Sequence, residues 1–247
     1  MRINRGANLA GIWLGALGLA AVIQSVPAPV QAQDYQAIVA APDRSDADRA
    51  TDKRRDPVKL LVFTGVRPGM TVLDMGTGAG YSTELMARAV GAGGHVYGQD
   101  SESSEKFDAR MKTPAMRNVT RLVRPFDDPA PAEVRDLDLI TFLFFYHDTT
   151  YMKVDRAAMN KRLLDALKPG GVLIIADHSA RAGEGISVGS TLHRIEESVV
   201  RREVEAAGFR FVADDNYLRH PEDPRDVNVF RATAPVDDFV LKFEKPR

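Results

Sequence analysis

The stretch from residue 72 to residue 83 constrains the fold more than any other part of the chain. It reads Val-Leu-Asp-Met-Gly-Thr-Gly-Ala-Gly-Tyr-Ser-Thr, so a short apolar run leads into three alternating glycines and then into a helix-favouring segment. Glycine lets the backbone turn tightly and lets a ligand lie close to it, and the N-terminus of a following helix adds a weak positive potential. The stretch therefore predicts a strand, a ligand-binding loop and a helix in direct succession.

The glycine spacing argues against two common nucleotide-binding loops. The dinucleotide fingerprint requires glycine or alanine as the sixth residue of Gly-x-Gly-x-x-Gly, but that residue is Tyr81 counted from Gly76 and Thr83 counted from Gly78. A phosphate-binding P-loop is excluded because no Gly-Lys-Ser/Thr follows. A nicotinamide oxidoreductase is therefore disfavoured, and the pattern is Gly-x-Gly-x-Gly with Asp74 two residues before its first glycine.

Strand and helix patterns alternate along the rest of the chain. Helices are predicted at 46–55, 57–64, 82–90, from Ser101, at 155–167 and at 194–207, and strands at 71–75, 95–99, 119–123, 137–145, 172–176, near Phe211 and at 239–243. The almost wholly apolar run at 137–145 is typical of the middle of a parallel sheet. This alternation indicates βαβ units, and hence an α/β fold with a doubly wound, mostly parallel sheet and helices on both faces.

A second acid follows the predicted second strand. Asp100 comes 26 residues after Asp74, and an acid at this position can accept both ribose hydroxyls of a nucleoside. The alternative is that Asp100 only caps the next helix, beside Ser101. A Lys-Pro-Gly-Gly turn at 168–171 then leads into the fifth strand.

These three features together point to one family. The chain resembles the class I S-adenosylmethionine-dependent methyltransferases over residues 57–243, on the matched motifs at 72–80, 96–100 and 167–175. More narrowly, it resembles a group of exported methyltransferases. The resemblance implies a seven-stranded, Rossmann-like sheet with an antiparallel last strand, and S-adenosyl-L-methionine as the cofactor.

The resemblance also implies which residues contact the cofactor. The loop glycines would pass beneath its methionine and ribose parts, and Asp100 would bind the ribose hydroxyls. Asp74 would order the loop and reach the methionine amino group through water. Asp127 or Asp128 would face the adenine amino group, unless both are surface acids, and Tyr146 could form a wall of the site. The expected cofactor contacts are Asp74, Gly76, Thr77, Gly78, Gly80, Asp100, Asp127, Asp128 and Tyr146.

Candidate catalytic residues follow the predicted fourth strand. Ligands of open parallel sheets bind at the carboxyl ends of strands, and this strand ends in Phe-Phe-Tyr-His-Asp at 144–148. Methyl transfer to a hydroxyl or an amine requires a positioned nucleophile and removal of its proton, and histidine is the usual base near neutral pH. His147 is the predicted base, with Asp148 orienting it or contacting substrate. The alternative is that His147 only caps the strand or the following loop.

Other polar residues near the same edge leave further roles open. His193 and Glu196, at i and i+3 of the predicted late helix, could bind substrate or form a surface polar face. Asp148, Asp177 and His178 could hold a divalent cation, as in some catechol-type methyltransferases, but the full acidic and amide pattern is missing, so no metal is predicted. The chain has no cysteine, which excludes thiolate metal sites, disulfides and cysteine nucleophiles.

The first 32 residues read as a secretory signal peptide. Arg2 and Arg5 precede an apolar run of 15 residues at 9–23, shorter than the roughly 20 that span a bilayer. Small side chains before Gln33 favour cleavage after Ala32 and a periplasmic protein without stable membrane insertion, although an uncleaved anchor is an alternative. The predicted domains are the signal at 1–32, a polar lead-in with a helix at 33–56 and the methyltransferase domain at 57–247.

The charge balance narrows the choice of partner. A net charge of −1 gives no basic footprint for nucleic acid, so the predicted substrate is an unidentified small molecule, and the oligomeric state stays open. The predicted function is S-adenosylmethionine-dependent methyl transfer. The alternative is a non-catalytic envelope protein that binds a nucleoside or S-adenosylmethionine, which gains weight because this cofactor is cytoplasmic while the chain has an export signal.

Overall fold

The described residues build a seven-stranded sheet in the order β3-β2-β1-β4-β5-β7-β6. The five strands β1 to β5 run parallel, and β7 runs antiparallel to both β5 and β6. The strands are β1 Thr71–Met75, β2 His95–Asp100, β3 Val119–Val123, β4 Leu137–Leu143, β5 Leu167–His178, β6 Arg210–Asp215 and β7 Asp238–Glu244. The predicted doubly wound α/β fold is confirmed.

The helices connect these strands and cover both faces of the sheet. They are α1 Tyr35–Val39, α2 Asp46–Arg55, α3 Pro57–Thr64, α4 Tyr81–Val90, α5 Glu105–Met111, α6 Arg156–Ala166, α7 Gly189–Leu192 and α8 Glu197–Ala206. Short 3₁₀ turns lie at Pro114–Met116, Tyr146–Thr150 and Val229–Arg231. The bounds predicted for α2 and α3 are confirmed, whereas the single helix predicted at 194–207 is shorter, and the separate helix α7 precedes it.

This computed structural model describes residues 1–2 and 33–247, and the contacts within residues 33–247 group them into one unit. The apolar run of the predicted signal peptide and the cleavage site after Ala32 lie outside the described residues. Within the part of the chain that is described, no helix combines the length and apolarity needed to cross a membrane.

Two apolar layers pack against the sheet. One layer joins the sheet to α6 and α8, through residues such as Leu163 and Val200. The other joins the opposite face to α3, α4 and α5, through residues such as Leu61, Leu85 and Phe107. Because β2 lies on one side of β1 and β4 lies on the other, the chain reverses direction beside β1. A crevice for ligands forms at such a switch point, outside the carboxyl ends of the strands.

Candidate functional site

The glycine loop leaves β1 at this switch point in a left-handed backbone conformation. Gly76 and Gly78 have φ values of 65° and 52°. A Cβ atom added at Gly76 would lie 2.9 Å from Cγ of Phe145, whereas one added at Gly78 would meet no atom within 4 Å. The Gly78 backbone therefore faces open space, as a loop that cradles a ligand requires.

Asp74 orders this loop from below. Its fully buried carboxylate accepts hydrogen bonds from the hydroxyls of Ser82 at 2.8 Å, Thr83 at 2.7 Å and Thr141 at 2.6 Å. These bonds join the end of β1 to the first turn of α4 and to β4. Burial raises the pKa of the Asp74 carboxyl despite the three donors. The loop-ordering prediction agrees with this geometry, but a water-mediated contact from an enclosed carboxylate to the methionine amino group does not.

Asp100 faces the glycine loop from the end of β2. Its carboxylate accepts hydrogen bonds from the backbone N–H of Gly78 at 3.1 Å and of Ser101 at 2.8 Å. The alternative role as a helix cap is wrong, and so is the predicted helix start at Ser101, because α5 begins at Glu105 and its N-cap is Ser104. The Asp100 carboxylate thus stands beside the open side of the loop, where it can bind ribose hydroxyls.

The two acids expected at the adenine end have different environments. The Asp128 carboxylate pairs with Arg124 and lies 2.9 Å from Nη2 of Arg162. Asp127 is half-buried and makes no side-chain hydrogen bond or ion pair with any described residue. The Asp128 carboxylate is therefore paired with two arginines, so its expected contact with the adenine amino group is wrong. Asp127 stays the predicted partner of that group.

Tyr146 lies in the core, so its predicted place as a wall of the cofactor site is wrong. Its hydroxyl donates to Glu203 at 2.9 Å and accepts from Asn160 at 2.8 Å, and the side chain is fully buried. Phe144 has a φ of 60°, which turns the chain into the 3₁₀ segment after β4 and directs Tyr146 beneath the sheet edge. Phe145, which the sequence reasoning missed, packs against the loop instead.

His147 is enclosed by two carboxylates. Its Nδ1 lies 2.7 Å from Oδ1 of Asp177, its backbone N–H donates to Oδ2 of the same residue at 2.8 Å, and its Nε2 lies 3.2 Å from Oδ1 of Asp148. Burial favours the neutral ring, but the charge of Asp177 and the hydrogen bonds with Asp148 and Asp177 outweigh it and raise the pKa of His147 to about 10. A ring that is protonated at neutral pH and only 2% exposed cannot act as the predicted base, and the residue that orients it is Asp177.

A cluster of possible metal ligands forms at the same place. Nδ1 of His193 lies 3.3 Å from Nε2 of His147 and 3.3 Å from Oδ1 of Asp148. Among the described residues, these three are the group whose donor atoms lie close enough to share an ion. We refer to them below as the His-Asp-His cluster.

The other polar groups proposed from the sequence do not assemble as expected. His178 lies with its Nδ1 2.6 Å from Oδ1 of Asp238, so Asp148, Asp177 and His178 do not converge on one point. His193 follows the end of α7 in a left-handed conformation. Glu196 is instead the N-cap residue of α8 and accepts the N–H groups of the 183–185 turn. The predicted pairing of His193 with Glu196 on one helix face is therefore wrong.

A cavity of about 520 Å³ opens beside the ends of β4, β5 and β7. Its lining includes the cations of residues 53–55, the rings of Phe144, His178 and His220, residues 229–230 and 232–236, and one acid, Asp238. The guanidinium of Arg55 lies 4.2 Å above the ring of Phe144 and makes no hydrogen bond or ion pair with a described residue. We refer to this space as the rim cavity.

The N-terminal lead-in packs against the glycine loop. Arg110 donates from Nε to the backbone carbonyl of Ala79 at 2.8 Å and from Nη1 to Asp48 at 2.8 Å and Glu84 at 2.5 Å. The hydroxyl of Tyr81 donates to Asp52 at 2.8 Å. Helix α2 is therefore part of the wall that positions the loop.

Comparison with known proteins identifies the family. Residues 67–205 match the sequence profile of a family described as a methyltransferase domain. The chain belongs to this family, which confirms the predicted class and its cofactor, S-adenosyl-L-methionine. The loop at 76–80, with its open side at Gly78 and the carboxylate of Asp100 beside it, fits that cofactor.

Curated methyltransferases are similar to about half of the chain. The chain is 33% identical over 121 residues to a demethylmenaquinone methyltransferase of Staphylococcus aureus, covering 49% of this chain and 48% of that one. It is 34% identical over 116 residues to a protein-L-isoaspartate O-methyltransferase of Ignicoccus hospitalis, covering 44% and 48%. The chain thus spans about half the length of the curated relatives it matches.

Solved structures share the fold. A SAM-dependent methyltransferase from Aquifex aeolicus superposes with a TM-score of 0.59 at 22% identity, over 86% of this chain and 98% of that one. A SAM-dependent O-methyltransferase from Thermotoga maritima superposes with a TM-score of 0.52 at 18% identity, over 78% and 65%. At these identities the likeness extends to the fold alone.

Proposed function

We propose that the chain catalyses methyl transfer from S-adenosyl-L-methionine to an anionic small molecule bound in the rim cavity. The observation that supports this most is the position of the cavity. It opens at the ends of β4 and β5, and β4 is the neighbour of β1, which leads into the glycine loop. The cofactor loop and the rim cavity therefore lie at the same edge of the sheet.

The cofactor supplies an electrophilic methyl group on a positively charged sulfur. The protein's part is to bind and orient it: the backbone at Gly78 leaves room for the ligand, and the carboxylate of Asp100 accepts the ribose hydroxyls. Holding both reactants in line removes much of the entropic barrier to displacement.

The charge of the rim cavity supports an anionic substrate. Three consecutive cations, Lys53, Arg54 and Arg55, line it and outnumber the one acid among its lining residues, Asp238. Burial lowers the pKa of Arg55, yet an arginine stays charged at neutral pH. A half-buried guanidinium without a described partner favours a carboxylate, sulfate or phosphate group on the ligand, and the ring of Phe144 offers an apolar surface beside it.

His178 takes the place of His147 as the proposed base. Its Nδ1 is held by Asp238 at 2.6 Å, and its Nε2 has no hydrogen-bond partner among the described residues. This arrangement fixes one ring nitrogen and leaves the other for a hydroxyl or an amine bound in the rim cavity. A positioned histidine of this kind contributes about 10²- to 10⁴-fold to proton transfer.

The location of the protein is a further part of the proposal. Residues 1–32 have the charge and hydropathy pattern of a secretory signal, which supports export to the periplasm and a mature chain that begins at Gln33. N-terminal sequencing of the protein from a periplasmic fraction tests this. A chain that keeps Met1 and sediments with membranes would favour the uncleaved anchor.

The first experiment is a calorimetric titration with S-adenosylmethionine. We expect micromolar binding that Asp100→Ala weakens by about 100-fold or more, since each hydrogen bond to a charged group contributes about 1.5–3 kcal/mol. Ser101→Ala is the matched control, because it changes the neighbouring residue and leaves the carboxylate in place. Failure of the folded wild-type chain to bind the cofactor would contradict the proposal.

Turnover then separates an enzyme from a binding protein. Release of S-adenosylhomocysteine is measured with acceptors offered in pairs, each a carboxylate and its neutral amide. We expect turnover with the anionic member and a loss of kcat in His178→Gln, but not in His220→Gln. Cofactor binding without turnover on any acceptor would instead favour the non-catalytic alternative.

A further inference from the structure

The His-Asp-His cluster is built from two separate segments of the chain. The 3₁₀ turn Tyr146–Thr150 after β4 presents His147 and Asp148, and the left-handed residue after α7 presents His193. The three facing atoms are Nε2 of His147, Oδ1 of Asp148 and Nδ1 of His193. They form a nearly equilateral triangle with sides of 3.2, 3.3 and 3.3 Å.

Hydrogen bonding cannot account for all three sides of this triangle. If the His147 ring donates to both other atoms, the lone pairs of His193 and Asp148 face each other. If both rings donate to Asp148, the two N–H groups face each other. With Asp148 ionised, every placement of protons on the two rings leaves one short side without a hydrogen bond, whereas an ion above the triangle would bind all three atoms together.

The spacing matches the geometry of a tetrahedral zinc site. Zinc binds imidazole nitrogen and carboxylate oxygen at about 2.0–2.1 Å, usually with tetrahedral angles, which places neighbouring ligand atoms about 3.3–3.4 Å apart. The observed sides agree with this separation. Two imidazoles with one carboxylate also favour zinc over magnesium or calcium, which prefer oxygen ligands.

The surroundings of the cluster orient its ligands in the way that metal sites require. Nδ1 of His147 lies 2.7 Å from the fully buried Asp177, so Nε2 points into the triangle, and a metal ion there would displace the proton that Nε2 carries in its absence. A carboxylate behind a ligating histidine is the usual second-shell partner in zinc sites. The hydroxyl of Tyr151 donates to Asp148, which holds the carboxylate in place.

The charge balance also calls for a cation at this position. Among the described residues, the carboxylates of Asp148 and Asp177 form ion pairs only with histidine rings, and neither forms one with a lysine or an arginine. Buried carboxylates are normally paired or bound to a metal. A divalent ion carries twice the charge of the ring proton that it would displace, and would therefore balance both carboxylates.

We propose that His147, Asp148 and His193 bind a Zn²⁺ ion, with a fourth coordination position left for water or another oxygen ligand. Three protein ligands and an open position are typical of zinc sites that bind exogenous groups. The site adjoins the rim cavity, because the His193 ring lies 4.8 Å from that of Phe230 and the His147 ring 5.7 Å from that of His178, and both partners line the cavity.

Zinc content and affinity test the proposal directly. The full chain, made without a polyhistidine tag, is treated with a chelator and titrated with Zn²⁺, and metal content is measured by mass spectrometry. We expect one zinc per chain, a rise in thermal stability on binding, and loss of stoichiometric binding in His193→Ala. Asp177→Asn should weaken binding by about 10- to 100-fold, as second-shell changes do.

The control is His220→Ala, which removes a histidine from the same cavity but not from the cluster, and it should bind zinc as the wild type does. Cobalt substitution adds a spectroscopic test, because tetrahedral Co²⁺ absorbs far more strongly in the visible range than octahedral Co²⁺. Absence of stoichiometric zinc, or equal binding by His193→Ala with unchanged circular dichroism, would overturn the assignment. The result does not depend on methyl transfer, since it is measured without cofactor or substrate.

Discussion

Alanine substitutions at two loop glycines separate the contribution of the loop to folding from its contribution to binding. Gly76 and Gly78 both have positive φ values, 65° and 52°, and an L-residue in this conformation costs about 1–2 kcal/mol. A Cβ atom at Gly78 meets nothing within 4 Å, whereas a Cβ atom at Gly76 lies 2.9 Å from Cγ of Phe145. Alanine at either position therefore has the same unfavourable backbone conformation, but only alanine at Gly76 also has a steric clash.

The two variants should therefore differ in stability. Gly78→Ala should lower the free energy of unfolding by about 1–2 kcal/mol. Gly76→Ala should lose a further 1–3 kcal/mol or so, the usual cost of overpacking a core. Urea unfolding of both variants beside the wild type measures this difference. Equal stabilities would show that the contact with Phe145 relaxes freely and that the steric argument is wrong.

Cofactor affinity should be sensitive to the substitution at Gly78, although this variant is the less destabilised of the two. The new methyl group at Gly78 occupies the open side of the loop, beside the Asp100 carboxylate, where we expect the ribose to lie. An extra methyl group in a packed contact costs about 1–3 kcal/mol, so affinity for S-adenosylhomocysteine should fall roughly 5- to 150-fold, as RT ln K gives. Calorimetry on the folded variant checks this. Unchanged affinity in Gly78→Ala would refute the placement of the cofactor against this loop.

Two further predictions concern charged groups near the loop and the rim cavity. Partial burial raises the pKa of Asp48, but its hydrogen bonds and charge pairing with Arg110 outweigh this and leave the pKa below its ordinary value. The ionised group therefore stabilises the fold above an unfolded-state pKa of about 4, and this contribution is lost as pH falls through the lower folded-state pKa. Asp48→Asn should thus destabilise the protein more at pH 7 than in acid, and a pH-independent difference in urea unfolding would contradict this. Arg55→Gln should leave affinity for S-adenosylhomocysteine unchanged if Arg55 binds the substrate anion. Weaker binding of S-adenosylhomocysteine but not of 5′-methylthioadenosine, which lacks the carboxylate, would instead show that Arg55 holds the cofactor.

The sheet and the glycine loop were predictable because their signals are local. The runs at 139–145 and 172–176 are almost wholly apolar, and the loop is defined by the spacing of Gly76, Gly78 and Gly80 within five positions. Asp100 was predictable for the same reason, since a residue at the end of β2 must lie at the same edge as the end of β1. Such positions follow from strand order alone.

The residues after β4 could not be placed in this way. Phe144 has a φ of 60°, a conformation that is rare for a bulky residue and that no sequence signal marks. The turn that follows buries Tyr146 and brings His147 to Asp177 and His193, which lie 30 and 46 positions further along the chain. These partnerships depend on the packing of three separate segments, so a role assigned to His147 from its position alone was bound to be incomplete.

The contacts of helix α2 could not be predicted from the polarity of its residues either. A helix as polar as this one is typically solvated, yet Asp48 pairs with Arg110 and Asp52 accepts a hydrogen bond from Tyr81. Asp48 can be buried because it pairs with Arg110 of α5, and Asp52 lies against Tyr81 of α4; hydropathy does not register such pairing. The domain boundary predicted at residue 57 lies where the motif resemblance begins. It separates the glycine loop from Asp48 and Asp52, whose carboxylates bind Arg110 and Tyr81 beside that loop. The resemblance follows the residues that contact the cofactor, whereas the folding unit must also include the residues that keep those contacts in place.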